Sequence, residues 1–107
     1  MNNSVPSRNY LGISHVFRFT ADAIDIAPTK AGVFVFFDQT GEAILIGSSL
    51  RSIQSDLMDH WKGLEGGETC GAEYVGFEAA TDPLRREAEL IQKHCAVYGK
   101  TPRRNIA

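Results

Sequence analysis

Residues 32–47 read GVFVFFDQTGEAILIG, and this stretch decides the fold. Gly32 to Phe37 is β-branched and aromatic after its glycine, and Ala43 to Ile46 is a second apolar run. Asp38-Gln39-Thr40-Gly41 lies between them, which is turn chemistry with a glycine to close it. Two extended runs joined by so short a turn make an antiparallel hairpin. Neither run alternates apolar with polar residues. The hairpin is therefore expected to be covered on both faces, or to sit centrally in its sheet.

Downstream, Gly47-Ser48-Ser49 offers a serine to cap a helix. Leu50, Ile53, Leu57 and Trp61 then recur at helical spacing as a core stripe, and Gly63 ends the helix. LEGGETCG reads as a loop and EYVGF as a third strand. Asp82-Pro83 is a start signal, an N-cap followed by proline at the first helical position. The last helix runs to Gly99 and is followed by a basic tail, TPRRN. Upstream, the polar residues 1–12 form a lead-in, His15 to Phe19 reads as a short strand, and Thr20 caps a short helix closed by Pro28. The expected architecture is α+β, with a small three-stranded, mostly antiparallel sheet flanked by helices. Residues 1–30 are then a lead-in and residues 31–107 the domain.

At 107 residues, 43% hydrophobic and 22% charged, the chain has the makings of one domain around one core. No apolar run approaches the roughly 20 residues of a membrane span. The opening MNNSVPSRNY has no basic segment followed by an apolar run, as a secretory signal would. Cys70 and Cys95 are too few for a disulfide scaffold, so the expected location is a reducing cytoplasm. The formal charge of −2 is unevenly spread: residues 1–84 carry −6 and residues 85–107 carry +4. An acidic whole does not coat nucleic acid non-specifically, because phosphate binding needs clustered cations. Arg85, Arg86, Lys93, Lys100, Arg103 and Arg104 keep a local phosphate contact open, against the plainer alternative of a solvated helix face and tail.

One carboxylate stands out. With about 100° per residue and Leu84 at the origin, Ala88, Ile91 and Cys95 fall within about 40° and form an apolar stripe. Glu89 sits near 140°, between Arg85 and Lys93, an ordinary exposed position. Glu87 sits near 300°, beside Ile91, Leu90, His94 and Tyr98, on the apolar flank. A carboxylate there needs a cation, a set of donors or a metal to offset desolvation. Glu87 is accordingly the first functional candidate among the acids, with a structural ion pair as the alternative.

From Ala31 to Asn105 the chain resembles a GIY-YIG nuclease domain, the module of the excision-repair nuclease subunit and of homing endonucleases. Gly32-Val33-Phe34 stands for the first family tripeptide and Leu45-Ile46-Gly47 for the second. Ser48, Ser49 and His60 follow as the family's small polar residues and helix histidine; Glu87-Ala88-Glu89-Leu90-Ile91 matches its Glu-x-x-Leu-Ile, and Pro102 to Asn105 its closing Pro-x-x-Asn. The resemblance implies DNA phosphodiester hydrolysis, with the glutamate holding one Mg²⁺ or Mn²⁺ that polarises the phosphate. A tyrosine hydroxyl of the first tripeptide would help activate water, and an arginine on the first helix would steady the phosphate.

The departures bear on that activity. Phe34 replaces the first tyrosine and has no hydroxyl, Leu45 replaces the second, and Asp56 falls where the arginine belongs. Like charges about 4 Å apart repel by about 1 kcal/mol even at the dielectric of water. Glu87 is what survives of the principal catalytic set. His60 lies one turn beyond Asp56 and could pair with it as a general base. Tyr74 could offer a hydroxyl, while His94 lacks metal-ligand spacing and reads as structural. Two readings follow. In one the site has decayed, leaving a binding module for DNA or for a partner protein. In the other an active endonuclease uses Glu87 with the metal and His60 or Tyr74 for proton transfer.

Overall fold

The computed structural model of the chain describes residues 10–13, 15–63 and 71–105. Cys70, most of the LEGGETCG segment and the start of the lead-in lie outside the described residues. The elements run β1 (Val16–Arg18), α1 (Ala21–Asp25), β2 (Gly32–Phe37), β3 (Ala43–Ser49), α2 (Ile53–Trp61), β4 (Tyr74–Ala79) and α3 (Pro83–Tyr98), then a single 3-10 turn over Arg103–Asn105. The class is α+β, as expected.

The sheet has four strands, not three, in the order β1-β4-β2-β3, and every pairing is antiparallel. The extra strand is the short stretch read near His15, with Val16 opposite Gly76 and Arg18 opposite Tyr74. Three residues are too few to show a period, and the partner strand lies far along the chain. The residues before Ala31 are thus joined to the sheet: Tyr10 and Ile13 lie buried in one core cluster and Ala23 and Ile24 in the other.

All six residues of β2 are buried, which is why its sequence is apolar without alternation. Phe34 and Phe36 face α1 and α2, packing with Ile24, Leu45, Ile53, Leu57 and Phe77. Val33, Val35 and Phe37 face α3, packing with Tyr10, Ile46, Tyr74 and Leu90. The hairpin turn is organised by Asp38, whose Oδ1 accepts from the Thr40 N–H at 2.9 Å, the Thr40 hydroxyl at 2.6 Å and the Glu42 N–H at 3.0 Å. Burial alone would raise the Asp38 pKa, but these donors and Arg103 outweigh it and hold the carboxyl below its usual value.

Two details depart from the sequence reading. Ser48 and Ser49 do not cap α2; they continue β3 opposite Val33 and Gly32, and Ser52 is the cap, accepting from the Ser55 N–H. Consequently Leu50 and Trp61 are not core: both are exposed, Trp61 resting edge-on against Phe19. Thr20, Asp82 with Pro83, and Gly99 at φ 80° do mark helix ends as expected.

Gly32 is fixed by contact. A Cβ there would lie 2.2 Å from the Glu78 carbonyl oxygen and 2.6 Å from Ile53 Cδ1. Backbone cannot give way as a flexible side chain can. Gly32→Ala is expected to lower stability by about 1–3 kcal/mol, read as a drop in the urea midpoint; an unchanged midpoint would show that β2 and β4 do not close at this spacing.

Candidate functional site

The inward face of α3 is not the one its apolar residues outline. Pro83, Leu90 and His94 are its buried residues, whereas Leu84 is 59% exposed and Ala88 is exposed too. Ile91 and Cys95 are half-buried. The helix is rotated toward Glu87, which lies in line with Pro83, Leu90 and His94, and so on the packed face rather than its flank. This rotation corrects the Leu84-Ala88-Ile91-Cys95 stripe. It is stable because each polar residue turned toward the sheet meets a partner.

For Glu87 that partner is Ser48: its hydroxyl donates to Glu87 Oε1 at 2.6 Å, the length of a charge-assisted hydrogen bond. Two residues along β3, the Asn105 side chain brackets Ile46, accepting from its N–H at 2.8 Å and donating to its carbonyl at 2.9 Å. An amide side chain thus replaces one residue of a missing neighbour strand on the β3 edge. Glu87, Ser48 and Asn105, contributed by three separate elements, are brought to one edge strand. Arg103 of the same 3-10 turn reaches Asp38 at 3.4 Å, so the tail is held at two points.

The other sequence candidates lie elsewhere. Phe34 and Leu45 are buried on the α2 side of the sheet. His60 is buried there as well, its ring 5.5 Å from Phe34 and 5.1 Å from Phe36, both in edge contacts. Asp56 is half-buried in the first turn of α2, where a carboxylate suits the helix dipole. Tyr74 is fully buried on the α3 side, with the Arg18 guanidinium 5.4 Å over its ring. Gly47 admits the Phe34 ring, since a Cβ there would lie 2.6 Å from it. Both motif glycines therefore have steric reasons in this chain.

Of the six basic candidates, four are ion-paired within the fold. Arg86 is gripped by Glu78 through Nε at 2.9 Å and Nη2 at 3.2 Å, with Glu89 at 3.4 Å. Arg85 meets Glu89 at 3.7 Å, Lys100 meets Glu42 at 3.8 Å, and Arg103 meets Asp38. Lys93 and Arg104 have no acidic partner among the described residues. No group of three or more His, Cys, Asp or Glu side chains able to hold a metal occurs among the described residues. At the β3 edge the side-chain oxygens brought together are one carboxylate and one hydroxyl, bonded to each other, and the Asn105 amide, bonded to Ile46. That falls short of a protein-built Mg²⁺ site without oxygens from a substrate.

His94, read as structural, has a partner the sequence did not show. The Tyr10 hydroxyl and its Nδ1 share a hydrogen bond across 84 positions of chain. Tyr10 carries no periodic signal in a polar stretch, so nothing in the sequence marked it. No helix of the described residues is long and apolar enough to cross a membrane. No protein-family model matches this chain, and no curated protein matches it either.

Two outcomes are expected. A double-mutant cycle with Ser48→Ala and Glu87→Ala gives a coupling of about 1–2 kcal/mol in urea denaturation; additive losses would mean the pair contributes nothing. Burial lowers the His94 pKa, opposed by Glu42 and aided by Lys100. The unfolded chain then binds the extra proton first, so this contribution is complete above about pH 6.5 and is lost as pH falls toward the folded value. The drop in melting temperature between pH 7 and 5.5 should be smaller in His94→Gln than in the wild type; equal drops would assign it to other groups.

Proposed function

We propose that this chain is a GIY-YIG nuclease-like domain whose catalytic site has decayed, and that it acts as a binding module for a partner protein. The observation that carries this reading is the fate of the residues the resemblance makes catalytic. Phe34 and Leu45 are apolar and built into the core on the α2 side with His60, while Glu87 lies on the α3 side with the Ser48 hydroxyl. Among the described residues the hydrogen-bond partner of Glu87 is the Ser48 hydroxyl, whose pKa is far too high for the general base that hydrolysis needs. Were Mg²⁺ or Mn²⁺ to bind, Glu87 would be the residue to hold it and the ion would polarise a phosphate.

The choice of protein over nucleic acid rests on the cations. Four of six already face carboxylates of the same fold, which removes most of the positive field a phosphate backbone would meet. Leu84 and Ala88 near the start of α3, and Val97 and Tyr98 near its end, are exposed apolar residues that a protein partner could cover.

Plasmid and branched DNA incubated in Mg²⁺ or Mn²⁺ should be nicked by neither the wild type nor Glu87→Ala. Cleavage by the wild type, abolished in Glu87→Ala and kept in Glu89→Ala, would establish the alternative, an active endonuclease. DNA affinity should be weak, with a salt slope of about −2 or shallower, as the two unpaired cations among the six candidates allow; a slope near about −5 would mean that all six engage phosphate.

A further inference from the structure

Beside the β2–β3 turn, away from the Glu87–Ser48 contact, lies a cleft of about 400 Å³. Small-molecule sites start at roughly this size. Its walls include Tyr10, His94 and Tyr98, with Glu42 and Lys100 among the residues around it. Tyr10 and His94 are both more than nine-tenths buried, at 7% and 3% exposure, and are bonded to each other. Burial drives the Tyr10 pKa far upward, so the phenol keeps its proton. With Nδ1 of His94 bonded to that phenol, Nε2 is the ring nitrogen left to bond a ligand, as donor or acceptor according to the tautomer. The Tyr98 ring lies 4.5 Å from the His94 ring at 37°, continuing an aromatic wall to the surface.

The charges are confined to the exposed groups. Lys100 Nζ and Glu42 Oε2 stand 3.8 Å apart with 70% and 48% of their side chains exposed. An ion pair so exposed and so long is held weakly and opens readily. One cation, one anion and neutral rings give the cleft no net charge. A simple anion would answer Lys100 but face Glu42, and a cation would do the reverse. A ligand bearing both charges on neighbouring atoms answers both, and a flat apolar body matches the rings behind them.

We propose that this cleft binds a free aromatic α-amino acid as its zwitterion, the carboxylate toward Lys100, the ammonium toward Glu42 and the ring against Tyr98 and His94. The cleft shares Tyr98 with the exposed apolar residues of α3, but the proposal does not rest on the reading of the domain as a protein-binding module. The N-terminal residue of a peptide would share the ammonium and ring but lack the carboxylate, which makes the two sources separable.

The test is a titration of the whole chain with L-phenylalanine, L-tyrosine and L-tryptophan, followed by amide chemical shifts. Saturable shifts are expected, centred on residues 40–43 and 94–100, with at least one of the three. For that amino acid, its carboxamide and its analogue without the amino group should each bind at least tenfold more weakly. Lys100→Ala and Glu42→Ala, both at exposed positions, should each weaken binding at least tenfold with an unchanged melting temperature. No saturable shift with any of the three overturns the proposal, as does equal affinity for the carboxamide or an undiminished affinity in Lys100→Ala.

Discussion

The structure depends on one constraint, a central strand buried on both faces. Every side chain of β2 is out of water, so no face of that strand can be left to solvent. Its backbone groups must also be paired on both sides, because an unpaired buried amide costs about as much as a lost hydrogen bond. β3 and β4 flank it for that reason, and helices lie over both faces. Gly32 follows from the same packing: with Ile53 from α2 and the β4 backbone both pressed on it, there is no room for a Cβ. Phe34, buried between α2 and Gly47, is core before it is anything else.

The second layer of organisation is polar. α3 packs with His94, Glu87 and the part-buried Arg86 turned toward the body of the domain, a face to one side of the stripe that a wheel drawn from apolarity alone would bury. The desolvation of each is offset locally: Tyr10 for His94, Ser48 for Glu87, Glu78 and Glu89 for Arg86. None of these partners is on the same turn of helix except Glu89. The helix is therefore oriented by specific contacts with β3, β4 and the segment before β1, and Leu84 and Ala88 are left outside as a result.

That difference marks how far the sequence could be read. β2 and β3 were legible because continuous apolarity and a DQTG turn have few other meanings, and Asp82-Pro83 because it is a local capping signal. Class and hairpin followed from these. β1 was legible as a segment but not as a member of the sheet, since three residues carry no period and their partner is distant. Glu87 stood out as misplaced, and it does turn inward. Its partner Ser48 was visible only as a motif residue and was read as a helix cap instead. Asn105 was likewise visible only as a match in a pattern; that its amide would bracket Ile46 is a tertiary fact. Tyr10 could not be found at all, because its role exists only opposite His94.

The charge distribution argues in the same direction. Along the chain the acids and bases look segregated, and a basic last quarter suggests a surface for phosphate. In space the segregation disappears, because bases of the last quarter meet acids of the earlier part: Arg86 with Glu78, Lys100 with Glu42, Arg103 with Asp38. Such pairs add little stability where they are exposed, but they cancel one another's field at a distance beyond a few ångströms. A sequence asymmetry of this kind is then the trace of a chain whose last quarter packs back on the hairpin turn and on β4. What the last helix leaves to solvent includes Leu84 and Ala88 near its start and Val97 and Tyr98 near its end, apolar residues that stand among charges already paired within the fold.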